Sequence, residues 1–157
     1  GYSYGSQKAD VAGANTDQRG DRLFGSYRWG GFQIGAAWDK SKVKNGVTGV
    51  ESARRTAWSL PIEYGWGPHW IGGHFTKARD DKATPLVQDG ARMWALGYNY
   101  SLSKRTSIGL TYASIRNDTG ATYTPFTGNG GLGGGAAHTA LAGEDPRFWS
   151  MTMRHTF

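Results

Sequence analysis

Residue types able to do chemistry are present, but their spacing does not arrange them for it. The four histidines, His69, His74, His138 and His155, show no His-x-x-x-His or similar ligand spacing, so metal binding is not expected. His74 shares a strand face with Thr76, and Ser107 or Ser150 would be the hydroxyl for it to activate. No Gly-x-Ser-x-Gly turn and no clustered acid supports that pairing. Asp80-Asp81 and Glu144-Asp145 fall in segments that read as loops and are expected to be solvated, whereas catalytic carboxylate pairs need a cleft. The stretch Gly128 to Gly135 contains a literal G-x-G-x-x-G. A dinucleotide fingerprint needs a strand before it and a helix after it, yet Thr124-Pro125-Phe126 precedes and Ala136-Ala137-His138 follows. No Lys-Ser or Lys-Thr follows either, which excludes a phosphate-binding loop. The sequence therefore predicts no enzyme, no cofactor and no metal.

Charge is the chemistry that remains. The chain has 157 residues, with 18 Lys plus Arg against 12 Asp plus Glu, a formal net charge of +6. Such a balance suits nucleic acid, anionic lipid or small anions, and composition alone does not choose among them. The absence of Cys excludes a disulfide scaffold and a Cys zinc site. No run of about 20 apolar residues is present, so a helical membrane span is excluded. The unusual feature is 7 Trp, 8 Tyr and 6 Phe beside 25 Gly. Many aromatics in a Gly-rich chain suit strands with one apolar face better than a helical core.

The elements that must position the charges are strands. Apolar residues recur at every second position, and Gly, Pro, Asn and Asp clusters separate the runs. Eight strands are predicted, at 2–7, 22–29, 32–42, 54–64, 70–77, 92–102, 106–115 and 148–157. Their alternation assigns two faces. Trp58, Leu60 and Ile62 lie on one side, with Leu96, Tyr98, Ile108, Leu110 and Met151, and small or polar residues lie on the other. The apolar side carries aromatics near both strand ends, as a lipid-facing band between interfacial girdles does. Connections alternate between short (30–31, 65–69, 103–105) and long (8–21, 43–53, 78–91, 116–147), which matches the tight periplasmic turns and long extracellular loops of outer-membrane barrels. Pro61 inside a strand donates no ladder hydrogen bond and marks a bulge or a weak pairing.

Parity then places Arg28, Arg55 and Arg154 on the polar face, with Arg22 at its outer end, Asp39 and Glu63 as its acids, and His74 beside them. In a confined aqueous space such a wall concentrates anions. The alternative is that these arginines pair with carboxylates from loops or from further strands. Lys104 and Arg105 lie in a short turn, where they meet water or lipid headgroups. Nucleic acid is not expected, because the aromatics share a face with aliphatics and not with the cations.

Two motifs carry a family resemblance. The ending Phe148-Trp149-Ser150-Met151-Thr152-Met153-Arg154-His155-Thr156-Phe157 alternates and closes on an aromatic. It resembles the assembly signal of Gram-negative outer-membrane proteins, and Met-Arg-His-Thr-Phe is similar to the ending of proteobacterial general porins. Leu96 to Thr106, with its Ser-Lys-Arg-Thr turn, is similar to the hairpin that precedes that ending. The resemblance implies an all-β, antiparallel up-and-down transmembrane β-barrel, with this chain as the C-terminal half of a sixteen-stranded, trimeric porin. Gly1-Tyr2-Ser3-Tyr4, with no Met and no signal-peptide pattern, fits a chain that continues upstream. The implied function is passive diffusion of small hydrophilic solutes and inorganic anions through a water-filled channel in the outer membrane of a Gram-negative bacterium. The implied partners are outer-membrane lipid and two further copies of the chain. Trp149, Met151, Met153, His155 and Phe157 would form the assembly signal. The alternative from another class is a small, closed eight-stranded barrel with a structural or adhesive role, whose interior side chains fill.

Overall fold

The computed structural model describes residues 1–11, 14–124 and 140–157. Its regular elements are β1 (Tyr2–Val11), β2 (Ala14–Trp29), β3 (Phe32–Asn45), β4 (Glu51–Trp66), β5 (His69–Ala78), β6 (Ala91–Ser101), β7 (Thr106–Asn117) and β8 (Arg147–His155). They form one sheet in the order β1 to β8, each strand antiparallel to its sequence neighbours. The described residues include no helix, and so none long and apolar enough to cross a membrane. No pairing joins β1 to β8 among the described residues, and the sheet is open. The Gly-rich stretch 128–135 and His138 lie outside the described residues.

The sheet is a single layer. Its buried apolar residues are small or few, Ala91, Ala113, Ile115, Ala121 and Ala140, and no large side chain is fully enclosed among the described residues. A soluble sandwich needs a second sheet over the first. None is present among the described residues, and Trp38, Leu60, Ile62, Leu96 and Leu110 stand exposed.

The register makes the apolar face continuous. Ile34 faces Ile62, Leu60 faces Phe75, Ile71 faces Tyr98, and Tyr98 faces Leu110. Ring contacts then form two belts on that face. Near the short turns, Trp29, Phe32, Tyr64, Trp66 and His69 follow one another at centroid distances of 4.5, 6.2, 5.3 and 5.1 Å. Toward the long loops, Trp58 meets Phe75 at 5.2 Å, Trp94 meets Tyr112 at 4.9 Å, and Tyr112 meets Trp149 at 4.4 Å. Along β4 the belts are separated by the eight residue steps from Trp58 to Trp66, about 26 Å at about 3.3 Å per step.

The strands outrun the predicted ones on the loop side. Residues 8–21, expected as a long loop, are mostly β1 and β2, and 43–53 shrinks to a turn between Asn45 and Glu51. The alternation that marks a strand stops where the apolar band stops, but backbone pairing needs no apolar side chain and continues into water. The last strand likewise ends at His155, short of the expected Phe157. Pro61 sits in a locally weak pairing without a bulge. β3 and β4 pair at Ile34–Ile62 and again at Ala37–Ser59 in the same register, and the positions between are not paired. The register shift falls instead at Val43/Lys44.

One short turn has no room for a side chain. A Cβ on Gly31 would lie 2.0 Å from the Gly65 carbonyl oxygen, and the Gly65 N–H donates to the Gly31 carbonyl at 2.8 Å. Gly31→Ala should lower the urea unfolding free energy by about 1 to 3 kcal/mol, the usual cost of overpacking. Gly20→Ala, where nothing lies within 4 Å, serves as the control and should be close to neutral. Equal midpoints for the two variants would refute the close approach.

Candidate functional site

The polar face follows from the same register. Residues directly opposite on neighbouring strands share a face, so Arg28, Gln33, Glu63 and Gly72 form one row across β2 to β5, and Arg22, Asp39 and Ala57 form another. Arg55 lies one inward-facing step beyond Ala57, opposite Ser41. The structure thus gathers the predicted charges into two groups.

The group nearer the short turns is built on the first row. Arg28 Nε donates to Gln33 Oε1 at 2.7 Å and its Nη2 lies 3.5 Å from Glu63 Oε1. Trp70, which spacing alone does not mark, donates from Nε1 to Glu63 Oε2 at 3.3 Å. Its ring lies against Gly72 and Gly97, where a Cβ would meet ring carbons at 2.4 and 3.3 Å. Only two residues without side chains leave space for an indole flat on the sheet.

The second group joins the wall to a loop. Arg22 pairs with Asp39 through its Nε. Arg55 donates from Nη2 to Asp89 at 2.7 Å, from Nη1 to the Tyr123 hydroxyl at 2.7 Å, and from Nε to Asp81 at 3.3 Å. Asp81 Oδ1 also accepts the N–H groups of Arg54 and Ala83, each at 2.8 Å, and Asp89 Oδ1 accepts the Asp81 N–H at 2.7 Å. Burial pushes the Asp81 carboxyl up. The N–H donors of Arg54 and Ala83, with the Arg55 guanidinium, outweigh this and hold it below the ordinary aspartate value.

Asp81 was expected to be solvated and is instead buried. The reason is that the loop folds back on β4, with Arg79 N–H donating to the Thr56 carbonyl and Lys82 N–H to the Arg54 carbonyl. Asp89 and Tyr123 were likewise not foreseen, since both lie in segments that lack periodicity. Their only signal in the sequence is an acidic or phenolic residue within a long loop that follows a strand carrying an inward arginine.

The other candidates stand apart. His74 is exposed, lies 3.1 Å from the Thr76 hydroxyl, and faces Pro61 and Ala95. Ser150 lies three strands away on β8, about 14 Å at usual strand spacing, so the structure does not bring the two together. Arg154 faces Ser107 near the short turns, away from the other arginines. Trp149, Met151, Met153 and His155 all point to the apolar face of β8, and His155 meets the Phe157 ring at 4.8 Å. The polar face can hold water and charged solutes, and the opposite face can meet hydrocarbon.

Compared with known families, residues 1–121 match the model described as Gram-negative porin. No curated protein and no solved structure matches the chain. The matched segment contains β1 to β7 and the hairpin around Ser103 to Arg105, and stops short of β8. A two-faced antiparallel sheet, apolar with aromatic belts on one side and polar on the other, is what such a family requires of its strands, and this chain belongs to the Gram-negative porin family of the outer membrane.

Proposed function

We propose that the chain forms the C-terminal half of a sixteen-stranded porin, assembled as a homotrimer, that passes small hydrophilic solutes by diffusion and prefers anions. The open sheet supports the larger barrel. Among the described residues both β1 and β8 have a free edge, and unpaired backbone groups cost several kcal/mol each in hydrocarbon. Further strands would satisfy those edges, whereas a closed eight-stranded barrel with an adhesive role would pair β1 with β8. Trp149, Met151, Met153, His155 and Phe157 fit a terminal assembly signal, being displayed on the outer side of an edge strand.

One observation carries the anion preference. In every ion pair of the polar face the guanidinium is the more exposed member. Arg22 and Asp39 are 59% and 37% exposed, Arg28 and Glu63 are 69% and 33%, and Arg55 is 41% against 4% and 11% for Asp81 and Asp89. A mobile ion therefore meets the cation first, and the carboxylates weaken the field without reversing it. The preference should be modest and stronger in dilute salt, where the Debye length is about 30 Å at 0.01 M against about 3 Å at 1 M. The test is the zero-current potential of the complete protein in a planar bilayer across a salt gradient. An anion-selective sign is expected, shifted toward zero by Arg28→Gln with conductance retained. A cation-selective sign refutes the preference, and the absence of stable current steps refutes the channel.

A further inference from the structure

On the polar face Arg22, Arg28 and Arg55 each pair with a carboxylate. Register places rows of cations on the opposite face. Lys77 on β5 stands directly opposite Arg92 on β6, and Arg92 directly opposite Arg116 on β7. Arg19, Lys42 and Arg54 form a second such row across β2, β3 and β4. Both rows lie on the side that carries Trp58, Phe75 and Trp94. Lys77 and Arg92 are one outward-facing step beyond Phe75 and Trp94 toward the long loops.

Directly opposed side chains sit about 5 Å apart at Cβ, and like charges there are destabilising. The Arg19 row has partial relief, since Glu51 receives Lys42 at 3.8 Å and Arg54 at 3.4 Å. The Lys77 row has none. Lys77, Arg92 and Arg116 are exposed and form no ion pair among the described residues. Asp80 and Asp118 flank Gly90 one step further out, and Asp80 accepts the Gly90 N–H at 2.7 Å.

We infer that the Lys77–Arg92–Arg116 row binds phosphate groups of anionic lipid headgroups in the leaflet at the long-loop end. Each part of the geometry supports this. The aromatic belt fixes where hydrocarbon ends, and the row lies at its outer edge, with Lys77 directly opposite Trp58 and Arg92 one step beyond Trp94, at headgroup height. Anionic headgroups attract such clusters, with each Lys or Arg adding to the binding. A phosphate between two opposed cations replaces their repulsion by two charge-assisted hydrogen bonds. Arg supplies a fork that matches phosphate oxygens, and Lys a compact point charge. The ligand is a lipid and not a free anion, because a solute in the channel passes the other face of the sheet.

The inference rests on the outer-membrane placement and on the assignment of faces, and its test keeps them separable. The complete protein and a Lys77→Gln/Arg92→Gln/Arg116→Gln variant are placed in phosphatidylcholine vesicles with or without diphosphoryl lipid A, and the thermal unfolding midpoint is read. The native protein should gain several degrees from the phosphorylated lipid, and the variant should lose most of that gain while matching or exceeding the native midpoint in phosphatidylcholine alone. If the triple variant does not fold, Arg92→Gln alone should lose a clear part of the gain. An equal gain in native and variant proteins overturns the proposal. So does an equal rise when inorganic phosphate replaces the lipid. Conductance recorded on the same preparations tests the channel independently, since a lipid-dependent midpoint without current steps strikes the pore and leaves the lipid site standing.

Discussion

Leu60→Arg is expected to lower the unfolding free energy of the complete protein by about 2 to 4 kcal/mol, the cost of a cation on the lipid face near the bilayer midplane, and Ser59→Arg to cost far less. The two residues are neighbours on β4 and differ only in the side of the sheet they face. Leu60 stands opposite Phe75 among exposed apolar side chains between the two aromatic belts. Ser59 stands opposite Ala37 and Thr76 on the side that carries Arg55 and Glu63. An arginine at 60 must leave water or bend toward an interface, whereas one at 59 stays on the polar face of the sheet. Reversible urea titration in lipid vesicles measures both. Equal losses would mean that the faces are misassigned, and the pore wall and the lipid row would fall together.

The second large effect concerns the loop fastened to β4. Asp81→Ala removes the acceptor of two backbone N–H groups and of the Arg55 Nε. Buried donors left without partners cost about 1 to 3 kcal/mol each. Part of that is recovered by water, so the local opening free energy of residues 79–90 should fall by about 2 to 4 kcal/mol. Amide exchange at Arg54 and Ala83 should then accelerate by about 30-fold to 1,000-fold, at about 1.4 kcal/mol per tenfold. Global unfolding should move much less, because the sheet ladder does not depend on the loop.

The same carboxylate sets a pH response. Its value in the folded protein is below the ordinary 3.8, so the loop binds fewer protons folded than open. The stabilisation is therefore complete above about 3.8 and is lost as pH falls through the lower folded value. Exchange at Ala83, corrected for intrinsic rates, should show the same protection at pH 7 and pH 5 and lose it only in stronger acid. Loss already at pH 5 would contradict the assignment.

The sequence by itself determined the two faces. Strict alternation at Trp58, Leu60 and Ile62, and at Leu96, Tyr98 and Tyr100, requires a sheet that is apolar on one side, because side chains on a strand repeat with period two. Aromatics at both ends of those runs mark the belts, and short and long connections mark the two rims. That information is local, so it survives without any knowledge of what packs on what. Parity also puts Arg22, Arg28 and Arg55 on one side with Asp39 and Glu63, and the register sets Arg22 opposite Asp39 and Arg28 in one row with Glu63.

Tertiary structure alone decided who stands next to whom. Parity names the face of a residue but not its neighbour, since register is a sum over the hydrogen bonds of a whole strand pair. Hence Trp70 against Gly72 and Gly97, Asp81 and Asp89 folded onto Arg55, and the row of Lys77, Arg92 and Arg116 could not be read from spacing. The loop-side ends of β1 and β2 were hidden for a related reason. Beyond the hydrocarbon band the sequence, as in Thr16-Asp17-Gln18-Arg19-Gly20-Asp21, carries no periodic apolar signal, yet the backbone still gains by completing its ladder.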